Sequence, residues 1–526
     1  MSSHPEPRLT DVQRTVLAIT LVPLFMSLLS VSIVNVVLPS IEIGLGASAS
    51  GLQWVLTGYT LAFGVVLVAA GRAGDLFGRA PMFVAGVALF GLSSLVAGFA
   101  PNEVVLNIAR VVMGFGSGFL NPQTVGLIQQ YFQGAQRGRA FGMFGAVVGI
   151  SVAIGPVLGG VLVALLGADW GWRSSFLINV PFAVVSILFA VRSLPVSAWR
   201  SLPEADPTPP EAAGAPTGPQ ASAPASEAAG PASPPAASTS PPAGSGGRPR
   251  SRRLPDLDPV GMVLLALGTL AVMIPFLQLS AGPWVWSILG LGILLVVAWV
   301  RWEAAYKRRG RAPMVDLALF STRSFANGSL LNALYFMGMT SVWVVCAIFL
   351  QSGLGRTALE AGLVGLPAAI LSALSSGVAG RHVFRIGRPI VLGGIAILLL
   401  GLVTSIVVVV LHDRAGTSIW WLLLTLSFVG LGQGATISPN QTLTLADVPL
   451  RYAGSAGGVL QTGQRIGTAI GLALITAVFF AAQAAAGWTA AFVWAYLVII
   501  AIVAASGVVG IVDQVQARRA HRSPGA

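Results

Sequence analysis

Two arginines, Arg110 and Arg465, stand inside long apolar runs where a charge is least expected. A guanidinium offers five N–H donors and no acceptor, and it keeps its proton in any protein environment. It can therefore hold an anion, a carbonyl group or an aromatic face, but it cannot carry a proton through a cycle. Inside a membrane such a group costs about 2.5–3.5 kcal/mol on insertion scales, so it is expected to face a bundle interior with a partner. Two roles stay open for Arg110: a charge acting on a passing molecule, or a brace bonded to backbone carbonyls. Arg465 lies nearer the end of its run, where a long side chain reaches the interface cheaply. Other polar residues share these runs: Asn35, Gln53, Trp54, Asn121, Gln123, Asn332, Tyr335, Gln441 and Gln461. Each is either a contact for a solute or one partner of an interhelical hydrogen bond. No acidic residue falls in the middle of a run, because Glu42, Asp75, Glu303, Glu360, Asp447 and Asp513 sit at run ends or in loops. His4, His382, His412 and His521 also lie outside them. Metal-ligand spacings and nucleotide-binding loops are absent, and the single Cys346 precludes a disulfide within the chain. The chain does not read as an enzyme and implies no bound cofactor.

These residues are carried by an unusual background. The chain is 55% hydrophobic and 9% charged, with a mean hydropathy of +0.81, which no water-soluble surface tolerates. Crossing a hydrocarbon core of about 30 Å takes roughly 20 mainly apolar residues. Fourteen such runs are expected: 15–38, 51–71, 81–100, 104–127, 139–166, 174–194, 259–279, 284–305, 325–352, 358–378, 389–411, 418–440, 453–480 and 488–512. The first is too long for a cleavable signal, whose apolar part is about 7–15 residues. With an inside N-terminus, the inner loops and both tails hold 25 of the 30 Lys and Arg residues. Only Arg173, Arg356 and Arg414 fall on the outer side, as the positive-inside rule requires. The net charge of +12 thus reports topology, and nucleic acid is not an expected partner because the basic residues are spread over many loops.

Between Arg200 and Asp258 the sequence turns to Pro, Ala, Ser and Gly, with fourteen prolines from Pro203 to Pro255 and no aromatic residue. Such a stretch cannot bury a core and reads as a disordered cytoplasmic linker closed by Arg248, Arg250, Arg252 and Arg253. The expected organisation is a tail at 1–14, a six-helix bundle at 15–194, the linker at 195–258, two inserted helices at 259–305, a loop at 306–324, a second six-helix bundle at 325–512 and a tail at 513–526. A repeat supports two bundles. GRAGDLFGR (Gly71, Arg72, Gly74, Asp75, Gly78, Arg79) and GRHVFRIGR (Gly380, Arg381, Gly387, Arg388) share Gly-Arg, five residues, Gly-Arg, at an offset of 309 from 71 to 380. GFGSGFLNPQT from Gly114 pairs likewise with GLGQGATISPNQT from Gly430. Parallel repeats of this sort build alternating-access transporters.

The ordered set of motifs resembles the fourteen-helix drug:proton antiporter branch of the major facilitator superfamily. It comprises GRAGDLFGR, LNIARVVMGFGSG from Leu106, GISVAIGPVLGG from Gly149, GWRSSFLINVP from Gly171, RAPMVDLALFSTRSF from Arg311 and QTGQRIGTAIG from Gln461. The resemblance implies an all-α membrane fold of two six-helix bundles plus two inserted helices, working as a monomer in the plasma membrane. It also implies proton-driven export of bulky, partly apolar small molecules such as drugs or antibiotics, with the proton gradient in place of a cofactor. The loop glycines and arginines would form a conformational latch. Gly149, Gly155, Pro156, Gly159 and Gly160 would form the antiporter motif, packing against the Gly362, Gly365 and Gly377 side of the tenth run. Their small-xxx-small spacing permits close helix approach in any case, and tight packing alone would also use it. The sequence departs from the branch at Ser30, where an aspartate is usual, so the resemblance implies proton coupling whose site the residues do not reveal. Two other functions remain open: a flippase for a lipid or envelope precursor, and a non-transporting scaffold or sensor built around the Pro/Ala linker.

Overall fold

Residues 9–200, 258–278 and 282–522 are described by a computed structural model, and they are helical almost throughout. The chain runs α1 (Asp11–Leu45), α2 (Ala49–Phe77), α3 (Arg79–Gly98), α4 (Glu103–Tyr131), α5 (Gly134–Leu177), α6 (Asn179–Ser193), α7 (Val196–Trp199), α8 (Pro259–Leu277), α9 (Val285–Arg308), α10 (Arg323–Ile348), α11 (Ala358–Ile386), α12 (Arg388–Ala415), α13 (Leu422–Thr444) and α14 (Ala453–Arg522). Starts are fixed locally. Thr10 and Gln13 form a reciprocal capping box at α1, and Thr357 and Glu360 repeat it at α11. Among the described residues twelve helical stretches are long and apolar enough to cross a membrane. Two of these, of 60 and 70 residues, contain a single residue of non-helical backbone, Gly167 (φ 77°) and Gly487 (φ 83°).

Burial resolves two apolar cores. One is drawn mainly from Val16 to Ala198 and the other from Leu331 to Val503, so the helices before and after the central stretch form separate bundles. Outside these cores large apolar side chains face outward, as at Leu165 (78% exposed) and Leu294 (67%), an arrangement that suits lipid rather than water. Helices α8 and α9 pack on one another where Gly268 meets Val296 and Gly292 meets Ala271. The α8 helix then lies in the seam between α2 and α14, with Met273 packed between Leu61 and Ala469.

The boundaries differ from expectation at several places: α1, α2 and α11 run on to Leu45, Phe77 and Ile386, so that 71–77 and 380–386, expected as loops, are helical. The short α7 packs Trp199 onto the Gly78 turn, and Ser197 Oγ lies 2.6 Å from the Tyr131 hydroxyl, so ordered chain continues to Arg200 instead of ending near 194. At the other end α14 continues to Arg522 instead of stopping at 512, because Asp513 is buried against Arg388 and anchors the extra turns. Of the linker expected over 195–258, residues 201–257 with the basic cluster lie outside the described residues.

Candidate functional site

The two bundles meet most closely at the end of the molecule that carries the basic loops. The meeting is built from glycines. A β-carbon on Gly454 would fall 2.5 Å from the Gly71 carbonyl oxygen, and one on Gly458 2.6 Å from that of Leu67. On the opposite seam a β-carbon on Gly142 would fall 2.8 Å from the Ser376 carbonyl oxygen, and Gly138 and Gly380 touch in the same way. The contacts obey the repeat. Positions 67 and 71 become 376 and 380 at an offset of 309, and 454 and 458 answer 138 and 142 at an offset of 316. Only glycine lets helix backbones approach this closely, so α2 with α14 and α5 with α11 form two equivalent seams.

Across the first seam lies a polar lock. The Asp75 carboxylate accepts the backbone N–H groups of Gly454 (3.0 Å) and Ser455 (2.9 Å) at the start of α14, where the helix dipole and its unpaired donors favour an anion. It also pairs with Arg79 at 3.2 Å, both side chains being almost fully buried. Arg79 in turn donates to the carbonyl oxygens of Gly126 and Leu450 and to Gln130 Oε1, so one ion pair ties α2, α3, α4 and the approach to α14. Gly74 leaves room for Gln123, whose amide donates to the Ala70 carbonyl oxygen at 2.7 Å, and Arg72 is buried beside them. The second Gly-Arg loop is built otherwise. Phe384 occupies the place of Asp75 and accepts nothing, Arg381 is exposed, and Arg388 bonds to Asp513 and Asn440 within its own bundle. Gly78 and Gly387, both of positive φ, make the matching turns.

Away from the basic end the second seam opens. The nearest α11 atom to a β-carbon on Gly149 is 3.4 Å away, and at Gly362 only Pro156 lies within 4 Å, at 3.9 Å. Gly155 and Gly159 do not touch α11. They pack against Ser32, Ile33 and Val37 of α1, and Gly160 faces open space. Part of the expected contact is therefore present, with Gly149 against Ala369 and Ser372 and Pro156 against Gly362, while Gly155 and Gly159 serve α1 instead. The Gly377 Cα lies 3.5 Å from where a β-carbon on Gly142 would fall, although Gly377 itself faces open space, and Gly365 faces Trp343.

Arg110 is 1% exposed on α4, with Nε donating to the Val55 carbonyl oxygen (2.8 Å), Nη1 3.4 Å from Ser30 Oγ, and the guanidinium 4.4 Å from the centre of the Tyr59 ring. Tyr59, which the sequence reading missed, holds Ser117 at 2.6 Å and the Ser27 carbonyl oxygen at 3.2 Å. Arg465 reaches from α14 to the other bundle and lies 4.2 Å over the Phe63 ring. Among the described residues neither arginine pairs with a carboxylate. Gln461, one turn before Arg465, is buried with its amide nitrogen unpartnered, and the buried Tyr335 hydroxyl is likewise unpartnered. Asn332 donates to the Leu460 carbonyl oxygen (3.2 Å) and Asn121 to that of Ser117 (2.9 Å), both packing bonds. Gln441 is buried, whereas Asn35 is exposed and bonds weakly within α1. Gln53 donates to the Leu277 carbonyl oxygen, joining the far end of α2 to α8.

Known proteins resemble the chain in sequence or in fold. A probable actinorhodin transporter of Streptomyces coelicolor is 31% identical over 460 residues, covering 86% of this chain and 70% of its own. The multidrug resistance protein Stp of Mycobacterium tuberculosis is 28% identical over 469 residues, covering 87% and 74%. The solved structure of the proton:xylose symporter XylE superposes with a TM-score of 0.61 at 12% identity, covering 94% of each chain, a likeness of fold alone. The family model described as Major Facilitator Superfamily matches residues 21–472, and the chain belongs to that superfamily of membrane transporters.

Proposed function

We propose that the chain exports bulky, partly apolar small molecules by alternating access and is driven by proton influx, as a member of the fourteen-helix drug:proton antiporter branch. The observation that carries this reading is the cross-bundle lock of Asp75 on the first N–H groups of α14 while the α5–α11 seam widens at the other end. Such a lock is the kind of contact a carrier must break and remake in every cycle. The actinorhodin in one relative's name, and the multidrug label of another, set the expected substrate type. Length supports a reading of fourteen crossings: at 1.5 Å per residue the 60- and 70-residue stretches would measure about 90 and 105 Å, far beyond a core of about 30 Å. Each is read as two spans meeting at Gly167 or Gly487, and α8 with α9 as the inserted pair. The basic end is then cytoplasmic, in the plasma membrane, and the conformation described is closed inward. Everted vesicles with and without an imposed pH gradient, tested over a panel of aromatic antibiotics and dyes, decide the reading. Gradient-dependent uptake supports it, and absence of any such uptake removes it.

Orientation has its own test in a Cys346→Ala background. A membrane-impermeant maleimide added to whole cells should label Thr417→Cys, between α12 and α13, and leave Gln133→Cys, between α4 and α5, unlabelled. The reverse pattern would invert the topology.

A further inference from the structure

We propose that this carrier selects molecules bearing a negative charge or a compact group of hydrogen-bond acceptors. They would be held by Arg465 and Gln461 of α14 beside the Phe63 and Tyr59 rings of α2, with Arg110 as a fixed second positive charge behind Tyr59. The inference deepens the exporter reading and rests on it for the idea that a solute passes between the bundles. Four features bring the groups together. Arg465 and Gln461 are four residues apart on one helix and therefore share a face. Arg465 crosses the seam to lie 4.2 Å over Phe63, whose ring centre is 6.0 Å from that of Tyr59, and Tyr59 lies 4.4 Å from the Arg110 guanidinium. The two cations thus flank one aromatic pair from opposite bundles.

The donor balance is one-sided. Arg465 has no hydrogen-bond acceptor among the described residues, and the Gln461 amide nitrogen, on a side chain only 8% exposed, has none either. Arg110 has part of its demand met by the Val55 carbonyl oxygen and Ser30. The acids that might neutralise this region are engaged elsewhere. Asp75 is held by Arg79 and α14, Glu103 by Ser48, Glu360 by Thr357 and Arg356, and Asp513 by Arg388. Uncompensated donors at low dielectric reward an acceptor far more than they do in water, and they penalise a cation. The buried Phe63 and Tyr59 rings back the two guanidinium groups and hold them in place, leaving the free donors of Arg465 and Gln461 to an acidic group.

The test uses matched probes of one scaffold, the anion fluorescein and the cation rhodamine 6G, binding to the full-length protein in nanodiscs. Wild type should bind fluorescein at least about tenfold more tightly. Arg465→Gln should remove most of that preference and Arg465→Lys should restore part of it, with elution profile and thermal midpoint confirming that both variants are folded. Ser30→Asp, which gives Arg110 a counter-charge, should move the ratio toward rhodamine 6G. Preferential rhodamine binding by wild type, failure to bind either dye, or a ratio untouched by Arg465→Gln overturns the proposal. Vesicle transport of the same dyes separates the two readings, since charge-selective binding without gradient-driven movement would sink the exporter assignment and leave the selectivity standing.

Discussion

Asp75→Ala will cut export at least tenfold while the protein remains inserted and folded. The carboxylate accepts two N–H groups of α14 and pairs with Arg79, all out of contact with solvent. Its removal leaves a buried guanidinium without its counter-charge and the first donors of α14 without an acceptor. Breaking a buried pair by deleting one partner costs about 3–5 kcal/mol. Because the bonds to Gly454 and Ser455 join the two bundles, the share of the cost that they carry falls on the state closed at the basic end, whereas loss of the Arg79 pair, which lies within one bundle, weighs on both states. A bias of about 1.4 kcal/mol is enough to shift the equilibrium tenfold. Export should fall at least tenfold, and a cysteine at Ser376 should become reactive to a maleimide presented from the basic side. Asp75→Asn, which keeps one acceptor oxygen, should be milder. Wild-type transport with unchanged labelling in Asp75→Ala would show that the lock does not govern the cycle.

Leucine at Gly142 should be as damaging on the other seam. Even the first side-chain carbon would fall 2.8 Å from the Ser376 carbonyl oxygen and 3.3 Å from the Gly380 Cα, and backbone cannot yield as a side-chain tip can. The α5–α11 seam would then be unable to close, and transport should drop below about a tenth of wild type with normal membrane insertion. Gly160→Ala, eighteen residues along the same helix in open space, is the matched control. It should transport normally and gain up to about 1 kcal/mol of helix stability. An inactive Gly160→Ala beside an active Gly142→Leu would move the working contact of α5 to its far half.

How far the sequence could be read depended on what kind of partner each residue finds. Apolar runs and the Gly-Arg spacing depend on local composition, so the bundles and their repeat were legible before any coordinates. The partner of Asp75 was not, because it is two backbone N–H groups 379 and 380 residues away, and backbone donors leave no mark in a sequence. The same holds for Arg110, which bonds to the Val55 carbonyl oxygen and not to an acid. Gly138 and Gly142 went unremarked although a signal was there: their four-residue spacing recurs at Gly454 and Gly458. The resemblance drew attention instead to Gly155 and Gly159, which serve α1 packing in this conformation. Arg388 looked like the twin of Arg79, but Phe384 in place of an aspartate turns its chemistry inward to Asp513.

The corners at Gly167 (φ 77°, ψ 174°) and Gly487 (φ 83°, ψ −175°) impose a mechanical rule. Each occupies a backbone region open essentially to glycine alone, so any side chain there would strain the corner. Each also joins its two helical segments through one residue, leaving no slack chain in which a displacement could be absorbed. A displacement of the segment end before the corner must therefore be shared by the start of the segment after it. The stretch containing Gly142 and the one containing Gly454 are the segments that touch the opposite bundle. Closing either seam accordingly displaces the start of a second, lipid-facing segment, and stiffness of the surrounding bilayer becomes a load on the turnover rate.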